Sequence, residues 1–131
     1  MSRIYHIALK VEDVEKSKAF YKELFGFAEV KQARVRDHVS CHLSDGNIHL
    51  ALIQYDSEDA PEAGLSGPGP CIHHFGIEVD DLDEARAKIE EMGCVILTDP
   101  GVLPIKFRTP DGIVAEISPP NYFEKYIKGS D

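Results

Sequence analysis

Basic residues are scarce in this sequence. It has 14 Lys and Arg against 23 Asp and Glu, which gives its 131 residues a formal net charge of −9. A chain with this balance has no bulk positive charge with which to hold nucleic acid or an anionic membrane surface. We therefore expect neither nucleic acid nor a membrane as a partner.

Long apolar runs and paired cysteines are also missing. No stretch approaches the roughly 20 apolar residues that a membrane helix needs, and the N-terminus lacks the pattern of a targeting signal. The three cysteines, Cys41, Cys71 and Cys94, are odd in number and far apart, so they indicate neither a CxxC metal pair nor a disulfide framework. We interpret them as reduced, small apolar residues in a cytoplasmic protein.

The residues that are present suit a folded protein. The chain is 43% hydrophobic and 28% charged, which is ordinary for a globular protein. This length and composition supply enough apolar material for one hydrophobic core, and we expect a single domain over 1–131.

An internal repeat organises the chain. Residues 5–13 resemble residues 73–81, because in both segments apolar residues alternate with polar ones in the manner of a strand. His6 and His74 occupy equivalent places, on the strand face opposite the apolar residues. The sequence therefore predicts two structurally similar modules.

Each of the two strands runs into a helix with recognisable end signals. The first helix is predicted from Val14 to about Phe25. The capping and stop residues are Asp13 and Gly26 for this helix, and Asp81 or Asp83 and Gly93 for the second.

Further strands complete each module. Turn signals at Asp45-Gly46 and Asp111-Gly112 precede the last strand of each half. The strands are predicted near 28–33, 37–43 and 48–55, then near 94–98, 104–109 and 113–118. The result is an α+β fold with two tandem βαβββ modules at about 4–55 and 71–118, an inter-module loop at 56–70 and a C-terminal tail at 119–131.

The strand faces bring together residues that bind metals. His49 and Glu116 occupy equivalent positions on the last strand of each module, as His6 and His74 do on the first. Three imidazoles and one carboxylate suit a borderline divalent cation. A single strand histidine is ordinarily a surface or core residue, but the repeated placement favours a metal site.

Other polar residues have a less specific interpretation. His73 lies on the opposite face from its neighbour His74, which favours a structural role. His38 and His42 share a face of the third strand, and His42 is a candidate base or substrate contact as well as a plain strand histidine. Loop 56–70 is either a passive linker or a flap over the site.

Four segments resemble a known family. They are His6-Ile-Ala-Leu-Lys-Val-Glu-Asp, Ala19-Phe-Tyr-Lys-Glu-Leu-Phe-Gly-Phe, His73-His-Phe-Gly-Ile-Glu-Val-Asp-Asp and Thr109-Pro-Asp-Gly-Ile-Val-Ala-Glu-Ile. Together they are similar to the glyoxalase/bleomycin resistance/extradiol dioxygenase (vicinal oxygen chelate) superfamily. The resemblance is nearest to its lactoylglutathione lyase and methylmalonyl-CoA epimerase branches.

This resemblance implies a cupped mixed sheet with a divalent metal in the cup, and a small-molecule substrate. Zn, Ni, Co, Mn and Fe all remain open as the metal, and no residue is assigned to an organic cofactor. By position, His6, His74 and Glu116 match the shared ligands of the family. His49 stands where the lyases place Glu and the epimerases often place Gln, so an imidazole there departs from both patterns. A homodimer is expected.

The implied activity is lyase or isomerase chemistry through a metal-stabilised enediolate or enolate. The candidate bases are Glu116 and His42, while Glu78 lies on the same face at a greater distance. Three other activities remain open: an extradiol-type Fe(II) dioxygenase with His49 outside the ligand set, a thiol transferase, and a metal-free small-molecule binding or resistance protein.

Overall fold

The computed structural model describes residues 2–128, so Met1 and the last part of the predicted tail, 129–131, lie outside the described residues. Within this range the chain runs through β1 (Arg3–Lys10), α1 (Val14–Phe25), β2 (Ala28–Val35), β3 (His38–Ser44), β4 (His49–Tyr55), β5 (Cys71–Glu78), α2 (Leu82–Glu91), β6 (Ile105–Arg108) and β7 (Val114–Ser118), then a short π-helical segment at Phe123–Lys128. The strands form a mixed sheet of order β2-β3-β4-β1-β5-β7-β6, which confirms the α+β class. In this described range no helix has the length and apolar character needed to cross a bilayer.

The chain divides into two compact units, which we describe in turn. The first unit is His6–His73, and the second consists of the remaining described residues. Strand β1 contributes to both, because Arg3–Tyr5 belongs to the second unit. The organisation into two tandem modules with the boundaries given above stays a prediction.

Helix α1 of the first unit begins and ends where its capping residues require. The Asp13 carboxylate accepts hydrogen bonds from the backbone N–H groups of Glu15 and Lys16, at 3.0 and 3.1 Å. Gly26 adopts a left-handed conformation, with φ of 72°, and its N–H donates to the Lys22 carbonyl. The predicted span of this helix is confirmed.

The apolar core of the first unit lies between α1 and one face of strands β1, β3 and β4. Its fully buried members are Cys41, Leu43 and Leu52, and the helix contributes Val14. Burial raises the pKa of the Cys41 thiol to about 11, consistent with the small apolar role predicted for it. The helix therefore covers the apolar face of the strands.

The opposite face of these strands carries the histidines, and we call it the histidine face. In the parallel β1–β4 ladder, His6 is the register partner of His49 and Ala8 that of Ala51. In the antiparallel β3–β4 ladder, Ala51 is the partner of His42. Register partners point to the same side of a sheet, so three histidines share this face.

Loop 56–70, which links β4 to β5, is fastened by two side chains. The Lys10 ammonium is 3% exposed and donates to the carbonyls of Ala63 and Gly67, at 2.7 and 2.8 Å. It also contacts the Glu58 carboxylate at 3.0 Å. His73 Nε2 donates to the Glu62 carbonyl at 2.7 Å, which agrees with the structural role predicted for this residue.

The second unit repeats the arrangement of a helix on one face of its strands. Asp81 caps α2, and the helix packs through Leu82, Ala85 and Ile89 on an apolar cluster of β5, β6 and β7. The buried strand members are Ile105, Phe107, Ala115 and Ile117. In the tail, the aromatic ring of Phe123 is buried at 3% exposure, so it packs on its own chain.

One predicted strand is wrong. Residues 94–98 form only an isolated bridge, in which Ile96 pairs with Phe107. Two backbone hydrogen bonds connect this segment to β6, and then the Thr98 hydroxyl accepts the Lys106 N–H at 2.7 Å. The Thr98 hydroxyl thus takes the place of the backbone carbonyl that would continue the ladder with β6, and the strand pairing ends there.

Replacing Asp13 with alanine should lower the free energy of unfolding by about 1 kcal/mol, because two N–H groups at the start of α1 lose their acceptor. Asp13→Asn keeps an acceptor oxygen and should lose much less. Chemical denaturation of both variants measures the difference. Glu23→Ala removes the same charge from the same helix, and an equal loss in that control would contradict a capping role.

Replacing Lys10 with methionine should loosen loop 56–70, because one buried and one partly buried carbonyl then lack their donor, and a buried group without a partner costs about 1–3 kcal/mol. Limited proteolysis should cut this loop several times faster than in the wild type. Lys22→Met is the control, since the Lys22 side chain is 42% exposed and pairs with Glu29 of β2. Equal cleavage rates for all three proteins would show that Lys10 does not hold the loop.

Candidate metal centre

Glu116 lies on the face of β7 that points away from α2, and its carboxylate is buried. Its Oε1 atom is 2.9 Å from Nε2 of His74, and the two side chains are 3% and 5% exposed. Gly76 is the register partner of Glu116 in the β5–β7 ladder, which places His74 diagonally across from the carboxylate. An imidazole and a carboxylate are thus in direct contact, shielded from water.

A lysine contacts the same carboxylate from the other side. Lys106 is the register partner of Glu116 in the β6–β7 ladder, and its Nζ is 3.5 Å from Oε2. Its side chain is 13% exposed. The two oxygens of Glu116 therefore face different groups. Oε1 faces the imidazole of His74, and Oε2 faces the ammonium of Lys106.

A buried hydroxyl pair lies near this carboxylate. The Tyr5 and Ser118 hydroxyls share a hydrogen bond of 2.8 Å, and both residues are at most 1% exposed. Burial raises the pKa of the Tyr5 phenol well above its usual range, and the charge of Glu116 raises it further. Tyr5 therefore remains a neutral phenol and adds no charge to the site.

Three of the predicted ligands are buried. His74 and Glu116 are in contact in the second unit, and His6 lies on the histidine face of the first unit. Imidazole and carboxylate are donors that suit Zn²⁺, Fe²⁺ and neighbouring divalent ions. The chemistry of these residues therefore fits the metal that the sequence predicts.

His49 and His42 have a different placement. Both belong to the first unit. His49 lies beside His6 on the neighbouring strand, and His42 lies one strand further along the histidine face. His49 as a ligand and His42 as a base both stay predictions.

The remaining predicted polar residues have local partners. Glu78 accepts hydrogen bonds from Arg3 Nε at 3.3 Å and from the Asn121 N–H at 3.2 Å. His38 Nδ1 is 2.8 Å from the Asp37 carboxylate. The Glu78 carboxylate is thus held by Arg3 and Asn121, and these contacts do not favour Glu78 as a base.

Sequence reasoning missed Lys106, Tyr5 and Ser118. A signal for Lys106 was available, since Lys106 and Arg108 alternate with apolar Ile105 and Phe107 along the strand before Glu116. Only the register of the β6–β7 hairpin shows that Lys106 and Glu116 are direct partners. The Tyr5–Ser118 bond joins residues 113 positions apart and has no local signal.

Comparison with known proteins agrees with this geometry. The model of the Glyoxalase/Bleomycin resistance protein/Dioxygenase superfamily matches residues 3–117. The chain is 31% identical over 103 residues to the mitochondrial methylmalonyl-CoA epimerase of Bos taurus, an alignment that covers 76% of this chain and 59% of that protein. The chain thus spans about three fifths of the length of this relative.

A bacterial relative and a solved structure extend the comparison. The chain is 31% identical over 102 residues to the ethylmalonyl-CoA/methylmalonyl-CoA epimerase of Cereibacter sphaeroides, covering 74% of this chain and 75% of that protein. A variant of the Streptomyces coelicolor methylmalonyl-CoA epimerase, solved with 2-nitronate-propionyl-CoA, matches with a TM-score of 0.74 at 25% identity and covers 89% of this chain and 96% of that one. On the extent of the family match, the chain belongs to the glyoxalase/bleomycin resistance protein/dioxygenase superfamily.

Proposed function

We propose that the protein is a divalent-metal-dependent isomerase that epimerises the carbon between a thioester carbonyl and a carboxylate, as in methylmalonyl-CoA. The observation that carries this proposal is the buried contact between His74 Nε2 and Glu116 Oε1, at 2.9 Å, since both residues match shared metal ligands of the family. The two epimerase relatives support the substrate class, at 31% identity each. Lyase chemistry of the lactoylglutathione type moves a proton on carbon in a similar way and is the closest alternative.

His6, His74 and Glu116 would hold the cation. When bound, a divalent ion supplies Lewis-acid polarisation of the substrate carbonyl, which makes the adjacent C–H more acidic. Without the cation, His74 Nε2 and Glu116 Oε1 are 2.9 Å apart, so these two donor atoms already lie side by side in the second unit. The burial of these side chains excludes water, which strengthens every electrostatic interaction within the group.

We assign His42 as the group that moves the proton. It lies on the histidine face two strands from β1, about 10 Å across the sheet at ordinary strand spacing. The positions between it and His6 are Ala51 and Ala8, which are small and buried. The His42 imidazole would act on a reacting carbon placed on this face, with Glu116 as the alternative base.

Replacing Glu116 with glutamine should remove most of the bound metal and abolish turnover, since a neutral amide binds a divalent cation more weakly than a carboxylate and cannot act as a base. The assay follows loss of the α-proton signal of methylmalonyl-CoA in D₂O by NMR, and elemental analysis measures the metal content. Glu90→Gln, a change at an exposed position of α2, is the control.

Full metal content together with full activity in Glu116→Gln would contradict the proposed role. The same wild-type preparations should be offered a glutathione hemithioacetal and a catechol with O₂. Turnover of one of these instead of the acyl-CoA would favour the lyase or the dioxygenase alternative.

Replacing His42 with glutamine should lower kcat by about 10²- to 10⁴-fold and leave the metal content unchanged, because general-base catalysis is lost while the ligands stay in place. His38→Gln changes a histidine of the same strand face and should have little effect. Single-turnover exchange in D₂O separates proton transfer from product release. A loss below about tenfold in His42→Gln would assign the base to another residue, Glu116 first.

A further inference from the structure

Two cations line the strand next to Glu116. Lys106 and Arg108 alternate with the buried residues Ile105 and Phe107, so both lie on the same face of β6 as the carboxylate on β7. The Lys106 side chain is 13% exposed and its Nζ is 3.5 Å from Glu116 Oε2. Lysine is rarely this buried unless it has an anionic partner.

The charge of the site explains why this lysine matters. Glu116 contributes one negative charge and Lys106 one positive charge, so with a neutral imidazole on His74 the group has no formal net charge. A divalent cation would then bring two positive charges with no counter-charge from these residues. A site of this kind favours a ligand with more than one anionic oxygen.

The overall charge of the protein does not attract anions. Its formal net charge is −9, so long-range electrostatics repel an anionic substrate. Attraction must therefore come from local cations at the site itself. Lys106 is suited to this role, since an ammonium is a compact point charge that several oxygens can approach at once.

We propose that Lys106 is a specificity-determining residue that binds the carboxylate of the substrate and selects carboxylated acyl thioesters over neutral ones. This inference rests on the proposed function and names the residue that recognises the carboxylate of the proposed substrates. The thioester carbonyl would lie toward His74, and the carboxylate toward β6. A substrate with a methyl group in place of the carboxylate would leave the ammonium without this counter-charge.

Malonyl-CoA and propionyl-CoA provide a matched pair of probes, because they differ only in a carboxylate against a methyl group on the same carbon. Calorimetry should measure the Kd of both for the full chain loaded with Co²⁺, with the metal content determined for every preparation. In the wild type, malonyl-CoA should bind at least tenfold more tightly. Lys106→Met should raise the Kd for malonyl-CoA by about 10- to 100-fold and the Kd for propionyl-CoA by less than about threefold.

Two further variants make the test specific. Lys106→Arg keeps the charge and should retain most of the preference, and Lys106→Gln replaces the methionine variant if that one fails to fold. Lys88→Met, at a position on α2 whose ammonium is 69% exposed, should behave as the wild type. An equal weakening of both probes in Lys106→Met would overturn the proposal, because Lys106 would then act only by positioning Glu116.

The test of Lys106 can fail while the proposed function holds, and the proposed function can fail while the role of Lys106 holds. Failure of the wild type to epimerise methylmalonyl-CoA, with a malonyl-CoA preference that still depends on Lys106, would reject the reaction and retain the binding role. Epimerisation with a preference that is unchanged in Lys106→Met would retain the reaction and reject the role of Lys106.

Discussion

Alternation of side chains along the strands is the constraint on which the candidate site depends. In the first unit, Leu43 and Leu52 are buried against α1, so residues of the other parity, including His6 and His49, must share the opposite face. In the second unit, Glu116 lies between two buried apolar neighbours that face α2. A shift of one residue in either ladder would exchange the faces and place these polar groups in an apolar core.

Burial of the polar groups is costly, and fold stability alone does not explain it. Removing a carboxylate and an ammonium from water costs several kcal/mol per ion, and a buried ion pair is often no more stabilising than apolar residues of similar volume. Glu116, His74 and Lys106 are nevertheless at most 13% exposed in the second unit. Such a cluster is better explained by a ligand, because a bound cation and an anionic substrate would return the electrostatic energy that desolvation removes.

Structural features that have a local sequence signal were predicted well. Asp13 and Gly26 define α1 within a few residues of themselves, and the Asp45 carboxylate accepts the N–H groups of Asn47 and Ile48 in the turn predicted there. The strand near 94–98 failed because the hydroxyl of Thr98 competes with the backbone, which strand periodicity does not detect. The equivalence of His6 with His74, and of His49 with Glu116, came from the repeat, because distance along the chain conceals it.

Two buried lysines illustrate what periodicity leaves undetermined. Both Lys10 and Lys106 lie on strand faces turned away from a helix, and from the sequence they are equivalent. The oxygens around Lys10 belong to loop 56–70, so its charge fastens a segment of the chain. The oxygen near Lys106 belongs to Glu116, a member of the donor set, so its charge changes the electrostatics of that set. The partner, and not the lysine or its burial, therefore distinguishes a structural cation from one that acts on substrate.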